Sequence, residues 1–203
     1  MLKLAKTFAA SAVLAIAIAA PAQSAFMTWT TDLPTVDTGV LSPTTTVGTV
    51  YENLTTSVKN KYRSPWQGTL LDGTGSYTSV QKSSYASYIL DKGYSSVEFM
   101  WGSVDNYNGL EFYYQGSWVD ALYGDDAALD GVNKGLGFIV ASVITNGIFD
   151  EVRFTSGSNA FEYANLTVSA VPLPAALPLY GAGLALIGFI GWRKRRKAAG
   201  IAT

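Results

Sequence analysis

Short runs in which apolar and polar residues alternate, separated by turn residues, fill the second half of the chain and most constrain its fold. In VEFMW (97–101) and LEFYY (110–114) the larger apolar side chains recur at every second position. A period of two places them on one face of a β-strand. Four further runs indicate strands: WVDAL (118–122), GFIVASVIT (137–145), IFDEVRF (148–154) and AFEYANLTV (160–168). Six such strands without a long amphipathic helix predict an all-β fold, an antiparallel β-sandwich or jelly-roll-like domain.

Local turn and breaker signals refine this prediction. Asn146-Gly147, between two apolar runs, predicts a two-residue β-hairpin, and Asn108-Gly109 predicts a turn before the strand at 110–114. Residues 26–60 are rich in Thr and contain two prolines, which favours edge strands and loops. A short helix is predicted at 83–90.

The first 25 residues have the layout of a secretory signal peptide. Lys3 and Lys6 precede the apolar run FAASAVLAIAIAA (8–20), and the small residues of APAQSA follow it. The apolar run is shorter than the roughly 20 residues of a spanning helix. We therefore predict a signal peptide over 1–25 and export of the rest of the chain.

Residues 26–170 have the length of one domain and are acidic. This span holds all fifteen acidic residues of the chain and seven of the fourteen basic ones, a net formal charge of −8. An acidic surface repels phosphate backbones, so nucleic acid is not expected as a partner. The chain has no Cys and no His, which excludes disulfides, His-dependent catalytic triads and the usual zinc sites.

The C-terminal 33 residues combine three features in a fixed order. Val171, Pro172, Leu173, Pro174 and Ala175 form a proline motif, and the eighteen residues 175–192 carry no charge. A helix of that length reaches roughly 27 Å, enough to cross a bilayer core. Five cations follow, which the positive-inside rule places in the cytoplasm: Arg193, Lys194, Arg195, Arg196 and Lys197. We predict one C-terminal transmembrane helix over 175–192.

This tail resembles the PEP-CTERM sorting signal, in its VPLPA variant. The resemblance implies that 171–203 is a sorting tail whose motif at 171–175 is cleaved by an exosortase, a membrane transpeptidase of Gram-negative bacteria that produce exopolysaccharide. The protein would then reside transiently in the inner membrane, and afterwards at the cell surface or in the extracellular matrix. A permanent membrane anchor on a proline-stiffened stalk is the alternative.

Two segments between the ends also resemble a known group of proteins. WGSVDNYNGLEFY (101–113) and IFDEVRFTSGSNAFEYANLTV (148–168) are similar to a surface domain that recurs among exosortase substrates. The resemblance implies a β-sandwich and no enzymatic activity. Those domains often read Phe-x-x-Asp-Asn in the last strand, whereas Ala164 occupies the Asp position in this chain.

Carboxylate pairs are the catalytic option that remains without His and Cys. The candidates alternate with apolar neighbours on predicted strands, where a solvated face usually carries charge: Glu98, Glu111, Glu151 and Glu162. We therefore predict no enzyme and no catalytic residue. A secreted glycosidase that uses a carboxylate pair is retained as an alternative.

Aromatic and acidic residues supply candidate binding sites. Tyr107, expected to be exposed in a loop, and Trp66 are candidates for stacking on a sugar, whereas Trp101 and Trp118 are interpreted as core residues. No metal site is predicted, because the acidic loops lack calcium-loop spacing, and their weak calcium candidates are Asp105, Asp125, Asp126 and Asp130.

Together these features predict an exported, non-enzymatic surface or exopolysaccharide-matrix protein that uses no cofactor. Its expected partners are an exosortase, the inner membrane before processing and extracellular polysaccharide. The first alternative is a carbohydrate-binding lectin that stays anchored in the membrane.

Overall fold

The computed structural model describes residues 25–39, 41–135 and 138–170, together with Phe189. The regular elements within the three described segments are nine β-strands and a 3₁₀ helix at Ala127–Leu129, and every strand pair is antiparallel. The all-β antiparallel class is therefore confirmed. The strands are β1 Phe26–Thr30, β2 Thr45–Val47, β3 Val50–Leu54, β4 Tyr77–Val80, β5 Ser84–Gly102, β6 Asn108–Tyr114, β7 Ser117–Tyr123, β8 Phe138–Ser156 and β9 Phe161–Ser169.

Two strands of 19 residues each, β5 and β8, form the centre of the sheet. They pair from Ser84 opposite Ser156 to Gly102 opposite Phe138, and their register shifts between Ile89 and Ser96. On one side of this shift, β2 and β6 flank the pair and β7 follows β6; we call this part the first wing. On the other side, β1 and β9 flank the pair, and β4 and β3 follow β9; this part is the second wing.

The predicted hairpin at Asn146-Gly147 is wrong, because both residues lie inside β8 and the chain does not reverse there. The two halves of β8 do not pair with each other; each pairs with a different half of β5. A glycine within a strand often marks an irregularity or a close approach. Gly93, on the facing stretch of β5, would place a Cβ 3.2 Å from Ile148 Cδ1. The local preference of Asn146-Gly147 for a two-residue turn is therefore overridden, because β8 pairs along the length of β5.

Two other local predictions are also corrected. Asn108 and Gly109 begin β6, and the turn lies just before them, where Asn108 N–H donates to Asp105 O at 3.1 Å. Gly109 provides space, since a Cβ there would lie 2.7 Å from the ring of Tyr123. The helix predicted at 83–90 is a strand, because these residues pair with β2 and β8 on either side. The six predicted strands coincide with parts of β5 to β9, and β1 to β3 confirm the edge strands expected in 26–60.

Aromatic rings from both wings meet in the main core. Phe154, in the first wing, stacks on Tyr163 of β9 with ring centroids 3.9 Å apart. It also contacts Phe99 edge-on at 5.2 Å and Phe161 at 5.4 Å. Burial of each such ring stabilises the fold by about 1.5–3 kcal/mol, and favourable ring pairs add about 0.5–1.5 kcal/mol. These contacts tie the second wing to the first.

A smaller core lies on the other face of the second wing, under the loop that joins β3 to β4. Trp66 from this loop packs with Tyr77, Met100 and Ala164. Its indole N–H donates to Ser76 O at 3.0 Å. Gly75 lies against the indole, where a Cβ would come within 2.6 Å of the ring. Trp66 thereby fixes the loop on the sheet, and the loop forms one wall of the site described below.

The predicted signal peptide, apart from Ala25, and the predicted sorting tail, apart from Phe189, lie outside the described residues. In the part of the chain that the structure does describe, no helix is both long enough and apolar enough to cross a bilayer.

Candidate functional site

A cleft of about 670 Å³ opens between the β3–β4 loop and the second wing. One wall is the segment KNKYR (59–63), and the opposite wall comes from the β5–β6 loop and the start of β9. We call it the polar cleft. Its principal polar residues are Lys59, Asn60, Lys61, Tyr62, Arg63, Gln67, Ser103, Asp105, Tyr107, Asn159 and Glu162.

The loop wall is a tight turn with its own hydrogen bonds. Val58 and Tyr62 form an isolated antiparallel bridge, with Val58 N–H donating to Tyr62 O at 2.9 Å and Tyr62 N–H donating to Val58 O at 3.1 Å. Asn60, at the tip, has a φ of 63°, a left-handed conformation that Asn tolerates better than most residues. These contacts and the buried anchor Trp66 hold the turn in place.

Glu162 lies at the floor of the polar cleft and is only 2% exposed. Its Oε1 accepts the Arg63 N–H at 3.0 Å, while its Oε2 has no hydrogen-bond partner. Burial raises the pKa of Glu162 to about 8, Asp105 adds to the increase and the Arg63 N–H opposes it. Glu162 is therefore mainly protonated at neutral pH, and its placement on a solvated strand face was wrong.

Gly102 explains how the loop closes over this carboxyl. It pairs with Glu162 across β5 and β9. A Cβ at position 102 would lie 2.9 Å from Pro65 Cβ and 3.4 Å from Glu162 Cβ. The absence of a side chain thus lets the loop approach the sheet closely enough for Arg63 N–H to reach Glu162.

Asp105 and Tyr107 form the second acidic group of the polar cleft. The Tyr107 hydroxyl lies 2.7 Å from Asp105 Oδ2 and 2.7 Å from Asn159 O. The hydroxyl carries a single proton, so it donates to one of these two acceptors at a time. Burial raises the pKa of Asp105, opposed by the Tyr107 hydrogen bond and by Lys134. Burial also raises the pKa of Tyr107, and Asp105 adds to the increase.

Cations concentrate at the rim of the polar cleft. Lys59, Lys61 and Arg63 are three of the seven basic residues in 26–170. Lys61 Nζ lies 4.2 Å from the ring centroid of Tyr51, within cation–π range. Arg63 Nε donates to Gln67 Oε1 at 2.9 Å. A positive rim therefore surrounds a floor on which burial raises the pKa of both Glu162 and Asp105.

Of the other predicted carboxylates, Glu111 and Glu151 lie near each other beside Arg153, because Glu111 faces Arg153 across β6 and β8. Glu98 is exposed on β5, and Glu111 Oε2 accepts a hydrogen bond from the Tyr113 hydroxyl at 2.8 Å. Glu151 pairs with Arg153 at 2.6 Å. Of these candidates only Glu162 lines the polar cleft, and the acid near it is Asp105 rather than another glutamate.

The burial of several aromatic residues differs from what the sequence predicted. Trp66 is fully buried, so it cannot stack on a sugar, and Tyr107 is half-buried with its hydroxyl bound within the protein. Trp101 is confirmed as a core residue, whereas Trp118, expected in the core, is 62% exposed. Trp118 lies on β7, which ends the strand order of the sheet, next to the turn that joins β6 to β7.

The calcium candidates do not assemble into one site. Asp105 lies in the polar cleft, whereas Asp125, Asp126 and Asp130 surround the 3₁₀ helix and are exposed. Asp126 Oδ1 accepts the Ala128 N–H at 2.9 Å, as a helix cap does. Among the described residues, no three acidic side chains converge on a metal-sized position.

The sequence did not identify the segment KNKYR (59–63) as a candidate site, although it has a cation at every second position. The floor residues come from positions about 40 and 100 residues further along the chain, so only the fold brings them together. No protein-family model matches the chain, and no match was found among curated proteins or solved structures.

Proposed function

We propose that this chain is an exported, non-enzymatic protein of the cell surface or exopolysaccharide matrix, sorted and cleaved by an exosortase at Val171–Ala175. The observation that carries the proposal is the order of proline motif, uncharged eighteen-residue segment and five cations. Strand β9 ends at Ser169, two residues before the motif, so a cut at the motif leaves every described strand intact.

The physical route follows from the charge pattern. The uncharged segment 175–192 enters the inner membrane, and the cations of 193–197 stay on the cytoplasmic side. Pro172 and Pro174 lack backbone N–H donors, and a proline favours an extended conformation in the residue before it, which suits binding in a protease cleft. The acidic span 26–170 then moves to the surface or matrix of a Gram-negative bacterium.

The proposal includes a β-sandwich or jelly-roll arrangement, in which the first and second wings form the two layers. The stacking of Phe154 on Tyr163 and the edge-on contact of Phe154 with Phe99 support it, since these rings come from different wings. Inward-facing rings that interdigitate are the usual core of two packed sheets.

Intact-mass measurement of the surface-associated protein tests the sorting proposal. We expect a mass that lacks both 1–25 and the basic cluster 193–197. Pro172→Ala/Pro174→Ala is the variant in which cleavage should fail, leaving the tail-bearing form in the membrane fraction. The control Pro34→Ala/Pro43→Ala should be processed normally. A surface form of the wild type that retains 193–197 would favour the permanently anchored alternative and overturn cleavage.

A second candidate function is carbohydrate binding at the polar cleft. Its volume lies in the range of small-ligand sites. A protonated Glu162 both donates and accepts hydrogen bonds, as sugar hydroxyls require, and its Oε2 lacks a partner within the chain. Binding of the processed protein on a glycan array, lost in Glu162→Leu but retained in Glu98→Leu, is the expected result. If the wild-type protein instead releases reducing sugar from a polysaccharide, and Glu162→Gln abolishes this release, the glycosidase alternative is established.

A further inference from the structure

We propose that the polar cleft binds a carboxylate-bearing saccharide, such as a uronic acid unit of an acidic polysaccharide, with Lys59 and Lys61 contacting its carboxylate and Glu162 and Asn159 its hydroxyls. This inference rests on the proposed carbohydrate binding and adds the class of sugar. Three features carry it: the rim charge, the preformed turn and the hydrogen-bonding groups of the floor.

The rim charge favours an anionic ligand. Lys59 and Lys61 are exposed, and within the described residues neither has a carboxylate oxygen within 4 Å of its ammonium group. Without the three rim cations, residues 26–170 carry fifteen acidic and four basic side chains, a net formal charge of −11. The rim is therefore a local positive patch on an acidic surface, and an anionic group is attracted there in preference to the rest of the surface.

The turn that carries the lysines is already ordered. The Val58–Tyr62 bridge fixes the backbone on both sides of Lys59 and Lys61. The aromatic ring of Tyr51 holds the Lys61 ammonium group, and Tyr51 in turn packs on Tyr62 with ring centroids 5.4 Å apart. A charge held in place before the ligand arrives loses less conformational entropy on binding than a free lysine does.

The floor provides hydrogen-bonding groups below the cations. Burial raises the pKa of Glu162 to about 8, which favours its neutral form at pH 7 and lessens its repulsion of a ligand carboxylate, and its buried Oε2 has no partner within the chain. Asn159 is exposed at the mouth of the cleft. A ring that carries hydroxyls and one carboxylate matches both the rim and the floor, whereas a neutral sugar leaves the rim unused.

The large negative charge outside the rim argues against densely charged ligands. A heavily sulfated glycan carries more than one charge on each sugar, and the charges that two lysines do not neutralise face the acidic remainder of the surface. Like charges in that position weaken binding. A uronate carries one carboxylate on each sugar, so it places fewer charges against the acidic surface outside the rim.

Isothermal titration of the processed protein at pH 7 tests this inference. The probes are hexagalacturonate, neutral cellohexaose and dextran sulfate. We expect hexagalacturonate to bind more tightly than the other two, and its affinity to fall as salt increases. In Lys59→Gln/Lys61→Gln the affinity should fall by about tenfold or more, because charge-assisted hydrogen bonds are lost.

The matched control is Lys82→Gln/Lys92→Gln, which removes the same charge from exposed positions outside the cleft. Its affinity for hexagalacturonate should stay within about twofold of the wild type, and thermal unfolding should show both variants folded. Equal losses in both double variants would overturn the inference. So would tighter binding of dextran sulfate. Equal binding of cellohexaose would overturn the uronate assignment and retain carbohydrate binding, while no binding of any probe would overturn both.

Discussion

At the residue scale, Glu162 has the most unusual environment among the described carboxyls. It lies on β9 beneath the loop, with one oxygen bound to Arg63 N–H and the other without a partner. An ionised carboxylate there would lack the solvation it has in water, and removal of a charge from water is costly unless it is fully paired. Protonation lowers this cost, so the stability of the fold depends on pH.

The first prediction concerns the pH dependence of unfolding. The ordinary pKa of Glu162 is 4.5, and in the folded chain burial raises it to about 8. Between these values the folded state holds a proton that the unfolded state has released, so the free energy of unfolding falls as pH rises. Glu162→Gln should remove this decrease, which is on the order of 3 to 5 kcal/mol across the window.

Urea unfolding from pH 4 to pH 9 measures this effect. The variant should resemble the wild type near pH 4 and be more stable at pH 9. Glu98→Gln, at an exposed position on β5, is the control and should follow the wild-type curve. Parallel curves for Glu162→Gln and the wild type would show that Glu162 is not the source of the pH dependence.

At the element scale, two Asn positions with similar turn preference have opposite roles. Asn60 is at the tip of a real turn and has a positive φ of 63°, whereas Asn146 lies within the continuous strand β8. The difference arises from pairing: the residues around Asn60 pair with each other across one turn, while those around Asn146 pair with β5. An Asn residue therefore accompanies a reversal at one site and an extended chain at the other.

The second prediction compares Asn146→Val with Asn60→Val. A β-branched side chain suits an extended strand but not a left-handed conformation. We expect Asn60→Val to destabilise the fold by about 1–3 kcal/mol. Asn146→Val, at an exposed strand position, should change stability by less than about 0.5 kcal/mol. Chemical denaturation of the two variants distinguishes them, and an equally large loss at Asn146 would indicate a turn in β8.

At the scale of the whole molecule, the described strands form one continuous sheet between Phe26 and Ser169. The main core joins residues from β1 to β9 across this span. Cooperative packing of this kind is typical of a unit that unfolds in a single transition. The unit transferred in the proposed sorting therefore contains all nine described strands.

The third prediction is that a chain limited to residues 26–170 folds without the tail. All nine strands are retained, so the truncated chain should show a β-type circular dichroism spectrum and one unfolding transition. Its midpoint in urea should match that of the surface-processed protein. A chain limited to 26–156, which removes β9 and with it Phe161 and Tyr163, is the comparison that should fail to fold. Failure of the 26–170 chain to fold would show that the tail contributes to the core.

The sequence alone determined the strand class, most strand positions and the chemistry that the chain lacks. Alternation at 97–101 and 110–114 follows from the two-residue repeat of a strand, and absent Cys and His stay absent in any fold. Only the tertiary structure decided that Asn146-Gly147 continues a strand, that Trp66 is buried while Trp118 is exposed, and that Glu162 lies beneath Arg63. Such outcomes depend on contacts between residues up to 99 positions apart, and local pattern contains no information about which distant surfaces meet.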